Sequence, residues 1–233
     1  MERPLPRLAR SVRLFALCAL PVVLGGGDAL RGEGTDLAGT LVLVQEGRNV
    51  AEGVDQAVVF FTPARKTKLY PPEAVPEMAT SRKEFKPRLL VVPVGSKVRF
   101  PNLDPILHNA FSVSPGNAFD VGLYGKGAGK EVEFKEAGLV RVFCNVHQQM
   151  AGYVLVVGTP FSTSPDKSGT FSLSGLPSGP GTLSVWHQRG ELQSQALTLP
   201  AKAPLRLSLA VSKPRVPRHL NKFGKAYSAD SAY

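Results

Sequence analysis

Cysteine, histidine and methionine fall at Cys144, His147 and Met150, three residues apart each time, and a second histidine lies upstream at His108. Thiolate, imidazole and thioether are soft or borderline donors. Two imidazoles and one thiolate in a plane, with a weak thioether on the axis, make the donor set of mononuclear copper electron-transfer centres. Zinc prefers tetrahedral Cys, His or carboxylate donors and rarely takes a thioether. Singly, each residue has a bland explanation: a free cysteine behaves as a small buried apolar residue, a loop histidine bonds to backbone, and a methionine fills a core gap. Jointly, three such donors at i, i+3 and i+6 point to a metal.

The elements around these residues are short β-branched runs punctuated by glycine and proline, with no sustained helical period. That pattern is all-β. Strands are expected at 40–44, 57–62, 88–92, 97–100, 110–113, 131–134, 139–144 and 153–157. About eight strands in roughly 120 residues suit a Greek-key sandwich. Alternation then orients the thiol: Val140, Val142 and Cys144 share one face, and Leu139, Arg141 and Phe143 the other. Arg141 prefers water, so Cys144 points inward. Residues 66–82 read as a polar, proline-rich surface excursion with room for one short helix, and 114–129 as a glycine-rich loop.

The segments Phe100-Pro101-Asn102-Leu103-Asp104, His108-Asn109, Cys144-Asn145-Val146-His147 and Gly152-Tyr153 resemble the cupredoxin family, in particular plastocyanin- and amicyanin-like members often labelled methylamine-utilisation proteins. The resemblance covers about 39–157. It implies a Greek-key cupredoxin sandwich over 36–158, one type 1 copper ion held by His108, Cys144, His147 and Met150, and single-electron transfer with a redox partner protein. It also implies that the Asn109 backbone N–H faces the thiolate while its side chain ties the two ligand loops together. Gln148 and Gln149 stand where relatives often carry proline and an aromatic, which implies a more polar docking surface.

Beyond 157 the pattern changes. Asp166-Lys167-Ser168-Gly169-Thr170-Phe171 and Gly175-Leu176-Pro177-Ser178-Gly179 resemble the hairpin turns of carboxypeptidase-regulatory-like modules, implying a small β-sandwich over 159–211. At about 50 residues this module needs part of its core from a neighbour. Residues 212–233 hold few apolar side chains and are expected to form a flexible basic tail.

The first 29 residues read as a cleaved signal peptide, with Arg7, Arg10 and Arg13 before an apolar run at 14–24 that is too short to span a bilayer. Export to the periplasm or beyond is the expectation, with no stable membrane span. Cleavage leaves Cys144 as the sole cysteine, which excludes an internal disulfide, a dinuclear copper site bridged by two thiolates and a four-cysteine cluster. The net charge is +10, and residues 1–29 carry four arginines against Glu2 and Asp28, leaving +8. That balance suits an anionic partner, an acidic redox protein or membrane headgroups, and equally a basic tail that is simply solvated. Nucleic acid is not expected, since no binding motif is present.

No serine-nucleophile motif, phosphate-cradling loop or paired-carboxylate pattern occurs, and four occupied metal positions would leave none for substrate, so no enzymatic activity is expected. His187 and His219 have no convergent partners in sequence and are expected to be structural or solvated. Two alternatives stay open: a copper-handling protein without redox cycling, and a non-metallated sandwich serving as an interaction module.

Overall fold

A computed structural model describes residues 34–215, 217 and 219–227. The expected signal peptide and cleavage point lie outside the described residues. Among the described residues no helix is long and apolar enough to cross a membrane. The fold is all-β, as expected, and the one helical element among the described residues is a 3-10 turn at Val54–Gln56.

Four sheets pack as two sandwiches. The first carries the candidate ligands. One of its sheets joins Gly127–Phe134, Ser96–Asn102, Ala79–Ser81 and Glu84–Lys86; the other joins Leu89–Pro93, Ala151–Val157, Gly138–Phe143, Phe111–Ser112 and Phe119–Asp120. Their inner faces enclose one apolar core that includes Met78, Phe100, Phe134, Val140, Val142, Cys144, Met150 and Val154. Alternation along Gly138–Phe143 behaves as expected: Val140 and Val142 are buried, Arg141 is exposed, and Cys144 continues the inward row.

The second sandwich departs from the expected boundaries. Thr35–Gln45 pairs antiparallel with Thr170–Leu176 and parallel with Leu205–Ala210. Val58–Pro63 pairs with Ser162–Thr163 and Gly179–Trp186, and the latter pairs with Gln193–Leu199. The strands near 40–44 and 57–62, expected in the 36–158 sandwich, therefore belong with the later strands. Leu41, Phe61, Leu183 and Leu209 share that second core. The physical reason is core size: strands from 159–211 alone could not enclose an apolar interior of this extent. The ligand-bearing sandwich is thus inserted between two halves of the other.

Ala151–Val157 is buried at all seven positions. Val154 and Val156 face the first core, whereas Tyr153, Leu155 and Val157 pack with Val58 and Trp186 between the sandwiches. The Tyr153 and Trp186 rings lie 5.5 Å apart between centroids. Burial on both faces makes this strand a rigid base for the loop that precedes it. Gly152 belongs to the same packing: a Cβ there would stand 3.0 Å from the Phe85 Cβ and 3.1 Å from the Met78 sulfur.

The polar excursion before Phe85 contains a short hairpin, Ala79–Ser81 with Glu84–Lys86, and no helix among its described residues. Its turn at Arg82 and Lys83 has positive φ at both positions.

Candidate metal centre

The Cys144–Met150 loop starts at the end of one central strand and returns into the next. The loop closes on itself: the Met150 N–H donates to the His147 carbonyl at 3.1 Å and the Cys144 N–H reaches the Met150 carbonyl at 3.4 Å. His108 arrives from a separate loop and is pinned by two backbone hydrogen bonds with Tyr124, at 3.0 and 2.9 Å. These elements bring Cys144 Sγ within 3.9 Å of His108 Nδ1 and 3.8 Å of His147 Nδ1. All three donor atoms lie within 4.8 Å of one another.

Those separations fit a metal. Sulfur and nitrogen donors bonded at about 2.3 and 2.0 Å, opened to a trigonal angle, stand a little under 4 Å apart. His108 and Cys144 are fully buried and His147 is half-buried. Met150, 1% exposed, lies in the same core cluster as Cys144. Three of the four sequence-derived residues thus converge by their donor atoms, and the fourth closes the loop beneath them.

The surroundings orient the candidate ligands. His108 Nε2–H donates to Asp104 Oδ2 at 2.8 Å, which turns Nδ1 towards the sulfur. Asp104 is held in turn by the Arg82 and Lys83 backbone N–H groups at 2.7 and 2.9 Å. Burial works against its charge, but those two N–H groups and His108 outweigh it and keep the carboxyl below its ordinary value. Asn102 shapes the same loop, accepting from Thr80 and the Asp104 N–H and donating to the Ile106 and Tyr124 carbonyls.

Asn109 behaves as the resemblance implied. Its Oδ1 accepts from the Asn145 N–H at 3.3 Å, and its Nδ2 donates to Asp120 and to the Gly122 carbonyl, tying the ligand loops together. Burial pushes the Cys144 thiol up, while the backbone N–H groups of Val146, Asn109 and His147 pull it back without cancelling that push. Burial also holds His147 below the usual imidazole value, assisted by His108 and Lys83 and opposed by Asp104. A metal-free site therefore favours a neutral thiol and a neutral His147 imidazole, and metal binding displaces the thiol proton.

Asp104 is the orienting residue that sequence spacing marked only as a neighbour of His108. Asp104→Asn is expected to weaken copper binding about 10- to 100-fold, the usual cost of losing a ligand's orienting partner. Competition against a chromophoric chelator measures it.

His187 is fully buried, as a structural histidine should be; its Nδ1 accepts the Arg189 N–H at 3.2 Å. His219 is neither isolated nor simply solvated. It stacks on Phe143 at 3.8 Å between centroids, and its Nε2 lies 2.9 Å from the Gln148 carbonyl. Residues 219–227 of the expected flexible tail pack against the ligand loop, where His219, Lys222 and Tyr227 hydrogen-bond to Gln148, Asn145 and Cys144. Deficiency in apolar side chains did not signal this.

Solved cupredoxin structures align with part of the chain. The purple cupredoxin from Nitrosopumilus maritimus is 24% identical over 35% of this chain and 99% of its own, with a TM-score of 0.32. A reduced amicyanin variant is 21% identical over 42% of this chain and 99% of its own, with a TM-score of 0.34. A second reduced amicyanin variant is 21% identical over 44% of this chain and 99% of its own, at 0.35. No protein-family model matches the chain. No curated protein matches it either.

Proposed function

We propose that the chain binds one copper ion through His108, Cys144, His147 and Met150 and carries single electrons between proteins outside the cytoplasm. The observation that carries this reading is the convergence of one buried sulfur and two imidazole nitrogens at 3.8 and 3.9 Å. Copper in such a site supplies reversible one-electron chemistry. The protein's part is to hold its donors still. Asp104 fixes the His108 ring, Asn109 couples the two loops, and the apolar core around Cys144 excludes water. A rigid, dry surround limits how much must rearrange when charge arrives. Complete burial of His108 and Cys144 also opposes rapid metal exchange, which a delivery protein needs.

The half-buried His147 is the proposed exit for the electron. Exposed Leu103, Ile106 and Leu107 lie on the loop that leads into His108, and exposed Leu123 precedes its partner Tyr124. Apolar side chains on both segments favour a partner docking by apolar contact. Gln148 and Gln149 alone implied a polar surface; the leucines come from a different loop. The chain's basic balance favours acidic groups at that partner's rim. The apolar leader is proposed to direct export and to be cleaved near Ala29.

Titration of the protein with copper(II) is expected to raise an intense blue thiolate-to-copper band. Ascorbate should bleach it and ferricyanide restore it over repeated cycles, with copper retained through gel filtration. Copper lost at each cycle would replace this reading with metal handling, and a colourless protein would remove it.

A further inference from the structure

We propose that residues 219–227 form a strap that latches the Cys144–Met150 loop, with His219 and Tyr227 as positioning residues acting on the copper ligands through the loop's backbone. The proposal deepens the copper reading above, and its first test does not depend on that reading.

The strap is a compact turn. Asn221 Oδ1 accepts from the Phe223 and Lys225 N–H groups, each at 3.0 Å, and the Asn221 N–H donates to the Lys225 carbonyl at 2.8 Å. This folding brings the two ends of the segment together, with the His219 and Tyr227 rings edge to face at 5.1 Å. Both ends reach the ligand loop. Tyr227 Oη donates to the Cys144 carbonyl at 2.9 Å, and His219 Nε2–H donates to the Gln148 carbonyl at 2.9 Å. Between them the Lys222 N–H donates to Asn145 Oδ1 at 3.0 Å. The strap thus bonds to Cys144 itself and to residues on either side of Val146 and His147.

A closed circuit joins the strap to both ligand loops. Lys222 Nζ reaches Asp120 Oδ2 at 2.6 Å, and Asp120 Oδ1 accepts from Asn109 Nδ2 at 2.7 Å. Asn109 Oδ1 then accepts the Asn145 N–H, and Asn145 Oδ1 accepts the Lys222 N–H. The segment that carries His108 and the loop that carries Cys144 and His147 are therefore held together twice, once directly and once through the strap.

Apolar burial does not hold the strap down: Leu220 and Phe223 are 56% and 70% exposed. Its closure rests on hydrogen bonds to the ligand loop and on one ring stack. Strap closure and ligand-loop order are consequently coupled, and the coupling is reciprocal: whatever orders the loop, a bound metal included, holds the strap shut.

The test uses full-length Tyr227→Phe and His219→Phe, which retain the rings and remove the latching hydrogen bonds, with Lys225→Ala as control. In metal-free protein, labelling of Cys144 by an aromatic disulfide reagent should accelerate about three- to tenfold in each latch variant, the range one net hydrogen bond sets, and remain unchanged in Lys225→Ala. In copper-loaded protein, release to a strong chelator should accelerate over the same range with a shifted thiolate-to-copper band. Unchanged labelling in both latch variants would overturn the proposal, even if their melting temperatures fell, because the strap would then only brace the fold. Accelerated labelling in a protein that binds no copper would sustain the latch and overturn the copper reading instead.

Discussion

Cys144→Ser is expected to abolish the blue band and weaken copper(II) binding by more than about a hundredfold, beyond what loss of an orienting partner costs. The substitution is sterically small. The new hydroxyl would lie where the backbone N–H groups of Val146, Asn109 and His147 already converge on the sulfur, so it has hydrogen-bond partners and the fold should survive. Thermal melts of the two metal-free proteins should therefore nearly coincide, while chelator competition and the visible spectrum separate them. A band that persists in the serine variant would show that the thiolate is not a ligand. Collapse of the fold would show instead that the sulfur is needed for packing.

Stability should fall on mild acidification, and His187 is the principal cause. Burial pushes its pKa down to about 4, assisted by the Arg189 charge and partly offset by the Gly53 backbone and the Asp55 carboxylate. The unfolded chain takes a proton near pH 6.5, whereas the native state resists until about pH 4. The native state therefore keeps its full advantage above pH 6.5 and loses it progressively towards pH 4, by up to about 3 kcal/mol. Urea unfolding of metal-free protein at pH 7 and pH 4.5 measures the slope. The slope should shrink in His187→Gln, leaving the smaller contribution of His147, whose pKa is lowered in the same direction. Asp104, Asp120 and Asp166, all held below the ordinary carboxylate value, lose their contribution only at lower pH. Equal slopes in wild type and His187→Gln would show that burial of this imidazole is not what acid attacks.

The ligand loop was legible because its information is local. A two-residue period runs unbroken from Val140 to Cys144, and three donors follow within one short loop. The all-β class was legible for the same reason. Which strands pair was not, because an alternating strand at 35–45 reads the same whether its neighbour is close in sequence or is 205–210. Nothing in the local pattern encodes the parallel register of Gly39 with Leu205. Short hairpins such as Ala79–Ser81 with Glu84–Lys86 lie below the length at which alternation can be recognised. The tail escaped for a different reason. Hydrophobicity predicts what must be buried, but His219 and Tyr227 are placed by the backbone carbonyls they satisfy. Those carbonyls belong to a loop about 70–80 residues away in the chain, and side-chain composition carries no trace of them.

The interruption of one sandwich by the other sets an order of assembly. All strands of the ligand-bearing sandwich lie between Ala79 and Val157, so its pairing partners are all present once that stretch has emerged. The strands at Thr35–Gln45 and Val58–Pro63 come earlier; apart from a short hairpin of Thr35–Gln45 with Arg48–Val50, their partners lie between Ser162 and Ala210. In a chain emerging N-terminus first, those two leading strands wait with open edges while the middle folds, and exposed edges are where chains associate wrongly. Once the last strand docks, the early and late segments close like a clasp around the stem of the inserted sandwich. Slow, concentration-sensitive steps in refolding should therefore belong to the clasp, and the Cys144–Met150 loop can gain its latch from residues 219–227 only after those strands have emerged.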